Sequence, residues 1–227
     1  MIRLHAVVEG QTEETFINSV LAPELGRLRI FVDAHRITTE RTRLRTFRGG
    51  LLKYSHLRTD LDLWMRQEDR HPESWFTTMI DLYALPEDFP CFSECAQHRD
   101  PVERVGCLES AFRRDINHPR FIPYIQLHEF EALLFADPRK FEVAFPGRAA
   151  EIDGLVSIRS EFPNPEDIDD GSDSAPSKRI LRIFPDFKKA VAGPVILAQI
   201  GINTLRRECR HFDGWIRRIE QVAPSLA

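Results

Sequence analysis

Five acidic residues stand where short apolar segments end or where a helix begins. They are Glu9, Glu13, Asp81, Glu129 and Glu131. Carboxylates that are brought together repel one another and resist joint ionisation unless a cation neutralises them. Their hard oxygen ligands select Mg²⁺, Mn²⁺ or Ca²⁺ over zinc, and such ions suit phosphodiester hydrolysis because they activate water and stabilise the leaving oxygen. The five residues therefore predict a divalent-metal site, although each one alone is more typical of a helix cap or a solvated turn.

The elements that must position these carboxylates alternate between strands and helices. Short runs rich in β-branched and aromatic residues predict four strands, at 2–9, 28–37, 75–82 and 121–127. Helical patterns lie between them, at 12–22, 51–69 and 98–115. This alternation predicts an α/β fold with a mostly parallel sheet that is covered by helices on both faces.

Two of these helices carry more detailed signals. Thr12 is expected to be the N-cap of the first helix. Helical spacing places four apolar residues on one face of the second helix, namely Leu57, Leu61, Trp64 and Met65.

The chain changes character after residue 128. No clear strand follows, and the pattern is one of short helices broken by Pro138, Pro146, Pro163, Pro165, Pro176, Pro185 and Pro194. We interpret residues 1–135 as a compact α/β core and residues 136–227 as a helical C-terminal cap packed on it. Phe212, Trp215, Ile216 and Ile219 of this cap are expected to be core residues.

The predicted strand ends bring the acidic residues to one edge of the sheet. Glu9 closes the first strand, Asp81 nearly closes the third, and Glu129 and Glu131 follow the fourth. Glu13 is one helical turn beyond the first strand. Because ligands of open α/β sheets bind beyond the carboxyl ends of the strands, we expect all five side chains to converge there.

Basic residues suggest how a phosphate-bearing ligand could be held. Arg41, Arg43, Arg45, Arg48 and Lys53 lie in one segment with Gly and aromatic residues interleaved, a pattern that could track a phosphate backbone or be a solvated loop. The segment "APSKRI" places Ser177, Lys178 and Arg179 at a predicted helix start. A phosphate could bind to its amides and cations, or Ser177 could simply cap the helix.

Composition and missing motifs exclude several classes of protein. The 227 residues carry a net charge of −4, so any polyanion must be held by a local basic patch. No apolar run approaches the length of a membrane span, and no signal peptide is expected at the N-terminus, which favours the cytoplasm. The segment "HEFEA" is not a zincin helix, "DIDDGSD" is not an EF-hand loop, and neither a P-loop nor a G-x-G-x-x-G motif occurs.

The chain also contains four cysteines, whose thiols could be free or could bind a metal. In a reducing compartment we expect Cys91, Cys95, Cys107 and Cys209 to be free thiols. Cys91, Cys95, Cys107 and His98 are an alternative set of zinc ligands, but their spacing is irregular and lacks a second paired half.

Several of these motifs together resemble the bacterial family known as domain of unknown function 4276. The resemblance runs from residue 2 to about residue 220 and is carried by "VEGQTEETFI", "TTMIDLYALPEDFP", "YIQLHEFEALLFADP", "APSKRI" and "HFDGWI". It implies a TOPRIM-like, that is Rossmann-like, core akin to the nuclease domains of the OLD family (overcoming lysogenisation defect). It also implies a role in bacterial defence beside an AAA or SMC-like ATPase.

The resemblance assigns roles to individual residues. The TOPRIM glutamate after the first strand is matched by Glu9, and the second glutamate of the OLD-like E-G-x-[ST]-E pattern by Glu13. Asp81 matches the first member of the later D-x-D motif, whereas Tyr83 stands at its second position. Glu129 or Glu131 could supply the missing carboxylate. Lys178 is the candidate for the late lysine that OLD-like nucleases use.

These observations lead us to expect a Mg²⁺- or Mn²⁺-dependent nuclease or related phosphoesterase, with DNA or RNA as its substrate. Two alternatives stay open. The protein could be a non-catalytic subunit that binds nucleic acid or a partner through a degenerate site, or it could hydrolyse small phosphate esters. Whether the chain forms a homo-oligomer is also left open.

Overall fold

The computed structural model describes residues 1–37, 53–168, 171 and 173–223. Five parallel strands form the sheet: β1 (Ile2–Val8), β2 (Ile30–Arg36), β3 (Ser74–Asp81), β4 (Phe121–Ile122) and β5 (Ile125–Gln126). Their order is β2-β1-β3-β4, and β5 pairs with the end of β3. The α/β class and the parallel sheet are therefore confirmed, and the predicted fourth strand is divided into two short ones.

Helices make up most of the rest of the chain. The α-helices are α1 (Gln11–Phe16), α2 (Ala22–Gly26), α3 (Tyr54–Gln67), α4 (Phe92–Cys95), α5 (Pro101–Ile116), α6 (Ala149–Ser160), α7 (Pro176–Ile183), α8 (Lys189–Ile200), α9 (Ile202–Glu208) and α10 (Arg210–Glu220). A π-helical segment, Ile17–Leu21, joins α1 to α2. Short 3₁₀ segments occupy Leu82–Ala84, Phe130–Ala136, Pro138–Val143 and Pro165–Asp167. No helix among the described residues is long and apolar enough to cross a membrane.

Each face of the sheet contributes to its own apolar cluster. Leu4, Ala6 and Val8 of β1 pack with the π segment, the 3₁₀ segment Phe130–Ala136 and the C-terminal helices. Val7 points to the opposite face, where β3 packs with α3 and α5. This alternation follows from the two-residue repeat of a strand. The N-terminal strand and the C-terminal helices therefore share one core.

The predicted apolar helix faces are buried. Leu57, Leu61 and Met65 are buried on α3, and Trp64 beside them is half-buried. The four aromatic and aliphatic residues expected to be core in α10 are all buried, namely Phe212, Trp215, Ile216 and Ile219. After β5 the described chain contains no strand, in agreement with the helical C-terminal part.

Two helix predictions are wrong. Gly10, not Thr12, is the N-cap of α1, and Thr12 is a buried residue inside the helix. Thr12 Cγ2 would lie 3.5 Å from a Cβ at Gly193 of α8, so its methyl group packs at a helix–helix contact and does not cap a terminus. Pro194 lies inside α8 and does not end a helix.

The cysteine prediction also needs correction. Cys95 and Cys107 form a disulfide that joins α4 to α5, with their Cα atoms 5.6 Å apart. Cys91 and Cys209 are the free cysteines, the first exposed and the second buried. The alternative zinc set is therefore not assembled, because two of its three sulfurs are bonded to each other.

Candidate carboxylate–lysine site

The carboxyl ends of β1 and β3 hold the first two acidic side chains together. The Asp81 amide donates a 3.2 Å hydrogen bond to Glu9 Oε2. In turn, Asp81 Oδ1 accepts a 3.0 Å hydrogen bond from the Phe130 amide. Both carboxylates are thus anchored by backbone groups, as expected for residues at adjacent parallel strand ends.

The segment after β5 supplies two further carboxylates. Glu129 Oε2 accepts a 3.0 Å hydrogen bond from the Ser177 amide at the start of α7. Glu131 lies in the following 3₁₀ segment and is only 1% exposed. The Ser177 amide, which a phosphate at "APSKRI" would use, therefore donates to the Glu129 carboxylate in this structure. Ser177 is not the cap, since the N-cap residue of α7 is Ala175 and no side chain caps it.

The buried Glu13 side chain folds back over Gly10. A Cβ atom at Gly10 would lie 3.0 Å from Glu13 Oε2, which is closer than almost all Cβ contacts in proteins. Gly10 has an extended backbone with φ −147°, so glycine is not required there by conformation. The glycine between the two glutamates instead leaves room for the Glu13 carboxylate.

Lys189 brings a positive charge to the site, although no sequence motif predicts it there. Its Nζ atom lies 3.3 Å from Glu131 Oε1. Lys189 is the first residue of α8, and the close approach of Gly193 to Thr12 brings this helix against α1. No local pattern marks Lys189, because it follows another lysine and precedes an ordinary apolar helix.

Burial and mutual repulsion raise the pKa of four carboxyls of the site. Burial is the largest cause of the raised pKa values of Glu9, Glu13 and Glu131. The pKa of Asp81 lies well above its usual value because of burial and the charges of Glu9, Glu13 and Glu131.

Backbone amides and Lys189 oppose these shifts. The Asp81 amide and the charge of Lys189 both lower the pKa of Glu9. Burial also lowers the pKa of Lys189, but the charges of Glu131, Glu13 and Asp81 outweigh it, and the pKa is raised above its usual value. The ammonium is therefore a permanent partner of the carboxylates.

The donor set fits a hard divalent cation in its chemistry. Five carboxylates offer oxygen ligands. Glu131 Oε1 is buried, has no hydrogen-bond partner in the described ranges, and lies 3.3 Å from the Lys189 ammonium. As the side chains lie, however, no three acidic, histidine or cysteine side chains in the described ranges are close enough together to hold a metal. An ion at this site requires side-chain rotation.

The remaining predicted site residues lie elsewhere. Lys178 is exposed, and no ion pair joins it to a carboxylate in the described part of the chain. Arg179 donates through Nε to the Ser174 carbonyl and stacks over Phe162. Lys53 is exposed just before α3. Arg41, Arg43, Arg45 and Arg48 lie outside the described residues.

Tyr83, at the second position of the D-x-D match, is 57% exposed. Its amide donates to the His128 carbonyl, so its backbone borders the site although the position carries no carboxylate.

A family model described as domain of unknown function (DUF4276) matches residues 8–220. No curated protein and no solved structure matches the chain. The match includes every carboxylate of the site and Lys189.

Proposed function

The chain belongs to the DUF4276 family, and we propose that it is a Mg²⁺- or Mn²⁺-dependent phosphodiester hydrolase that acts on nucleic acid. One observation carries the proposal. Five carboxylates from three separate parts of the chain lie near the carboxyl ends of parallel strands, and Lys189 Nζ lies 3.3 Å from one of them, Glu131 Oε1. Such an excess of negative charge is stabilised by a divalent cation.

The residues that would hold the ion are Glu9, Glu13, Asp81, Glu129 and Glu131. The bound ion would neutralise the charge of the substrate phosphate and supply an activated water. The backbone amides of Asp81, Phe130 and Ser177 fix one oxygen of Glu9, Asp81 and Glu129, respectively, and so limit the reorganisation that binding requires.

We assign to Lys189 the role that the family resemblance suggests for Lys178. Its ammonium is charged at any physiological pH and lies among the carboxylates, where it can face the negative charge that develops on a phosphate. Because its side chain is 56% exposed, it can also contact a substrate that enters from solvent.

The biological setting is part of the proposal. The basic segment at 41–58 would position a nucleic-acid strand. An AAA or SMC-like ATPase would deliver or sense the target in a cytoplasmic defence system. The motifs on which this setting rests are those quoted from the sequence, together with the match to the family.

Cleavage assays on the full chain test the activity directly. Plasmid DNA and total RNA are incubated with Mg²⁺ or Mn²⁺, with and without EDTA, using wild type, Glu9→Gln and Asp81→Asn. We expect metal-dependent cleavage that each substitution reduces by orders of magnitude. Glu87→Gln, a change at an exposed acid outside the site, is the matched control and should cleave like wild type.

Other results of these cleavage assays would support or refute other functions. Hydrolysis of nucleotides without cleavage of either polymer would support a small-molecule phosphohydrolase. Equal cleavage by wild type and by both variants would refute the assignment of the site.

A second candidate is a non-catalytic nucleic-acid-binding subunit. It is favoured by the exposed Tyr83 in place of an acid and by the absence of three converged ligands among the described residues. Binding that weakens with salt, survives EDTA and is unchanged in Asp81→Asn, without cleavage by wild type, would support this candidate.

A further inference from the structure

The C-terminal end of α5 borders an open groove that lies away from the carboxylates. α5 ends at Ile116 and β4 begins at Phe121, so the groove lies at the amino edge of the parallel sheet, opposite the edge that holds Glu9 and Asp81. The groove has a volume of about 520 Å³ and is lined by Ser110, Arg113, Arg114, Asn117, His118 and Pro119.

Four of the lining residues form one face of α5 and its C-cap. Ser110, Arg113, Arg114 and Asn117 follow the spacing i, i+3, i+4, i+7, which places them on the same side of a helix. All four are exposed, whereas the opposite face of α5 is buried in the core. They present a hydroxyl, two guanidinium groups and an amide over seven residues, or about 10 Å along the helix axis.

The two arginines of this face are available to a ligand. Neither Arg113 nor Arg114 is paired with a carboxylate in the described part of the chain. The neighbouring Asp115 does not line the groove, because it accepts a hydrogen bond from the Tyr54 hydroxyl and pairs with Arg58 at 3.5 Å. Basic residues in a last helical turn also favour the helix C-terminus, and the further donors beside them distinguish this groove from that ordinary pattern.

His118 adds a neutral N–H donor to the lining. Its Nδ1 atom accepts a 3.3 Å hydrogen bond from the Arg120 amide, so the neutral ring carries its proton on Nε2. Burial and the charge of Arg120 lower the pKa of His118, and they outweigh the opposing charge of Asp69. The ring packs edge-on against Phe76, with the two centroids 5.3 Å apart.

The chemistry of this lining matches phosphate groups. Every polar side chain in it can donate a hydrogen bond and none is anionic, and guanidinium groups bind phosphate oxygens in a bidentate geometry. The lining offers no aromatic platform on which a base could stack, because the His118 ring packs on Phe76. Contacts of this kind hold a phosphate backbone without reading its sequence.

The length of the face favours a polymer over a single anion. Donors spread over about 10 Å exceed what one phosphate can contact. A single anion at exposed cations gains little free energy, whereas a polyanion gains the release of its counterions at each contact.

We propose that this groove binds the phosphate backbone of nucleic acid without sequence preference. The inference rests on the proposed function for the class of its ligand. It adds a binding surface at the edge of the sheet opposite the carboxylates.

Binding of labelled oligonucleotides in EDTA tests the inference without measuring cleavage. Fluorescence anisotropy is recorded over a series of salt concentrations for DNA duplexes of two unrelated sequences and for single-stranded RNA. In Arg113→Gln/Arg114→Gln we expect an affinity about tenfold lower than in wild type at low salt, to the same extent for both duplex sequences. The slope of log K against log salt concentration should fall by about two, one for each lost phosphate contact.

A matched control and a second measurement locate the effect. Arg29→Gln/Arg99→Gln removes two exposed arginines outside the groove and should bind like wild type. Modification of wild type by phenylglyoxal, mapped by mass spectrometry, should be blocked by bound DNA at Arg113 and Arg114 but not at Arg29 or Arg99. This protection decides the test if the groove variant fails to fold.

The results separate this inference from the proposed function. Unchanged binding in the folded groove variant, an equal loss in the control, or unprotected Arg113 and Arg114 would overturn the inference and leave the hydrolase intact. Displacement of the oligonucleotide by inorganic phosphate at matched ionic strength would overturn it in favour of a site for a single anion. Weaker binding in the groove variant, with a wild type that cleaves nothing in Mg²⁺ or Mn²⁺, would support the inference and refute the hydrolase. No binding of DNA or RNA by wild type at low salt would overturn both.

Discussion

The backbone amide of Asp81 donates a 3.2 Å hydrogen bond to Glu9 Oε2, so the end of β3 holds the side chain that ends β1. The two residues are 72 positions apart in the chain, and parallel pairing of β1 with β3 makes them neighbours. Their geometry is therefore a product of strand register, and an isosteric substitution can change the charge of the pair without moving the backbone.

Asp81→Asn should stabilise the metal-free protein at neutral pH. The pKa of Asp81 is raised well above its usual value, so its ionised form is disfavoured in the fold. Each pKa unit corresponds to ~1.4 kcal/mol, and ~1 kcal/mol shifts the melting temperature of a domain of this size by about 2–4 °C. Thermal unfolding in EDTA at pH 7.5 measures the effect, and Glu87→Gln should not reproduce it. A lower melting temperature in Asp81→Asn would contradict the prediction.

The stability of the metal-free protein should fall as the pH rises, for the same reason. The folded-state pKa values of Glu9, Glu13, Asp81 and Glu131 lie above their unfolded values. Protonated carboxyls therefore favour the fold, and the stability that they contribute below the unfolded pKa is lost as the pH rises through the folded pKa.

In EDTA, the difference in unfolding free energy between wild type and Asp81→Asn should therefore widen as the pH rises from the ordinary aspartate pKa of about 4 to about pH 8. Mn²⁺ should stabilise wild type more than the variant at the upper end of that range. Chemical denaturation at a series of pH values checks both statements. A difference that stays constant with pH would show that Asp81 titrates alike in the folded and unfolded states.

Gly10→Ala should impair the site with little effect on the fold. The new Cβ would stand 3.0 Å from Glu13 Oε2 and displace that carboxylate, whereas the extended backbone at Gly10 accepts alanine without strain. We expect Mn²⁺ affinity and cleavage to fall by about tenfold, the equivalent of ~1.4 kcal/mol. Gly26→Ala is the control, because a Cβ there meets no atom within 4 Å. Wild-type affinity in Gly10→Ala would show that Glu13 does not act in metal binding.

Glu166→Ala should destabilise the C-terminal helices. The Glu166 carboxylate is buried and accepts hydrogen bonds of 2.8 and 3.1 Å from the amides of His211 and Phe212, at the start of α10. Loss of this acceptor leaves two amides without a partner at a helix N-terminus, a cost of about 2–4 kcal/mol. Urea unfolding measures this cost. Exposed Glu161→Ala should cost less than about 0.5 kcal/mol, and equal effects of the two substitutions would count against the capping role.

Alkylation should distinguish three classes of cysteine. Without reductant, a native sample should be modified at the exposed Cys91 alone, and a denatured sample at Cys91 and the buried Cys209. Cys95 and Cys107 should react only after reduction, because they are joined in a disulfide. Mass spectrometry of the alkylated peptides reports each site, with Cys91→Ser as the control for assignment. Modification of Cys95 in the denatured, unreduced sample would show that the disulfide is not formed.

The strand-end carboxylates were predictable from sequence because local patterns fix strands, and parallel strands end at one edge. Glu9 and Asp81 follow from that rule alone. Lys189 was not predictable, because it reaches the site through the packing of α8 on α1, where Gly193 meets Thr12. The same contact explains why Thr12, which resembles a cap in sequence, is a buried packing residue. The positions of Lys189 and Thr12 are both set by tertiary contacts that leave no local pattern in the sequence.

Pro194 interrupts the backbone hydrogen bonds of α8 near its lysine end. Proline has no amide hydrogen, so the bond from position 194 to the Ala190 carbonyl is missing within Lys189–Ile200. The first turn, which carries Lys189, is thereby less firmly tied to the turns behind it, as in other helices that bend at proline. The charge of the site therefore lies on the end of α8 whose backbone is joined to the rest of the helix by one hydrogen bond fewer.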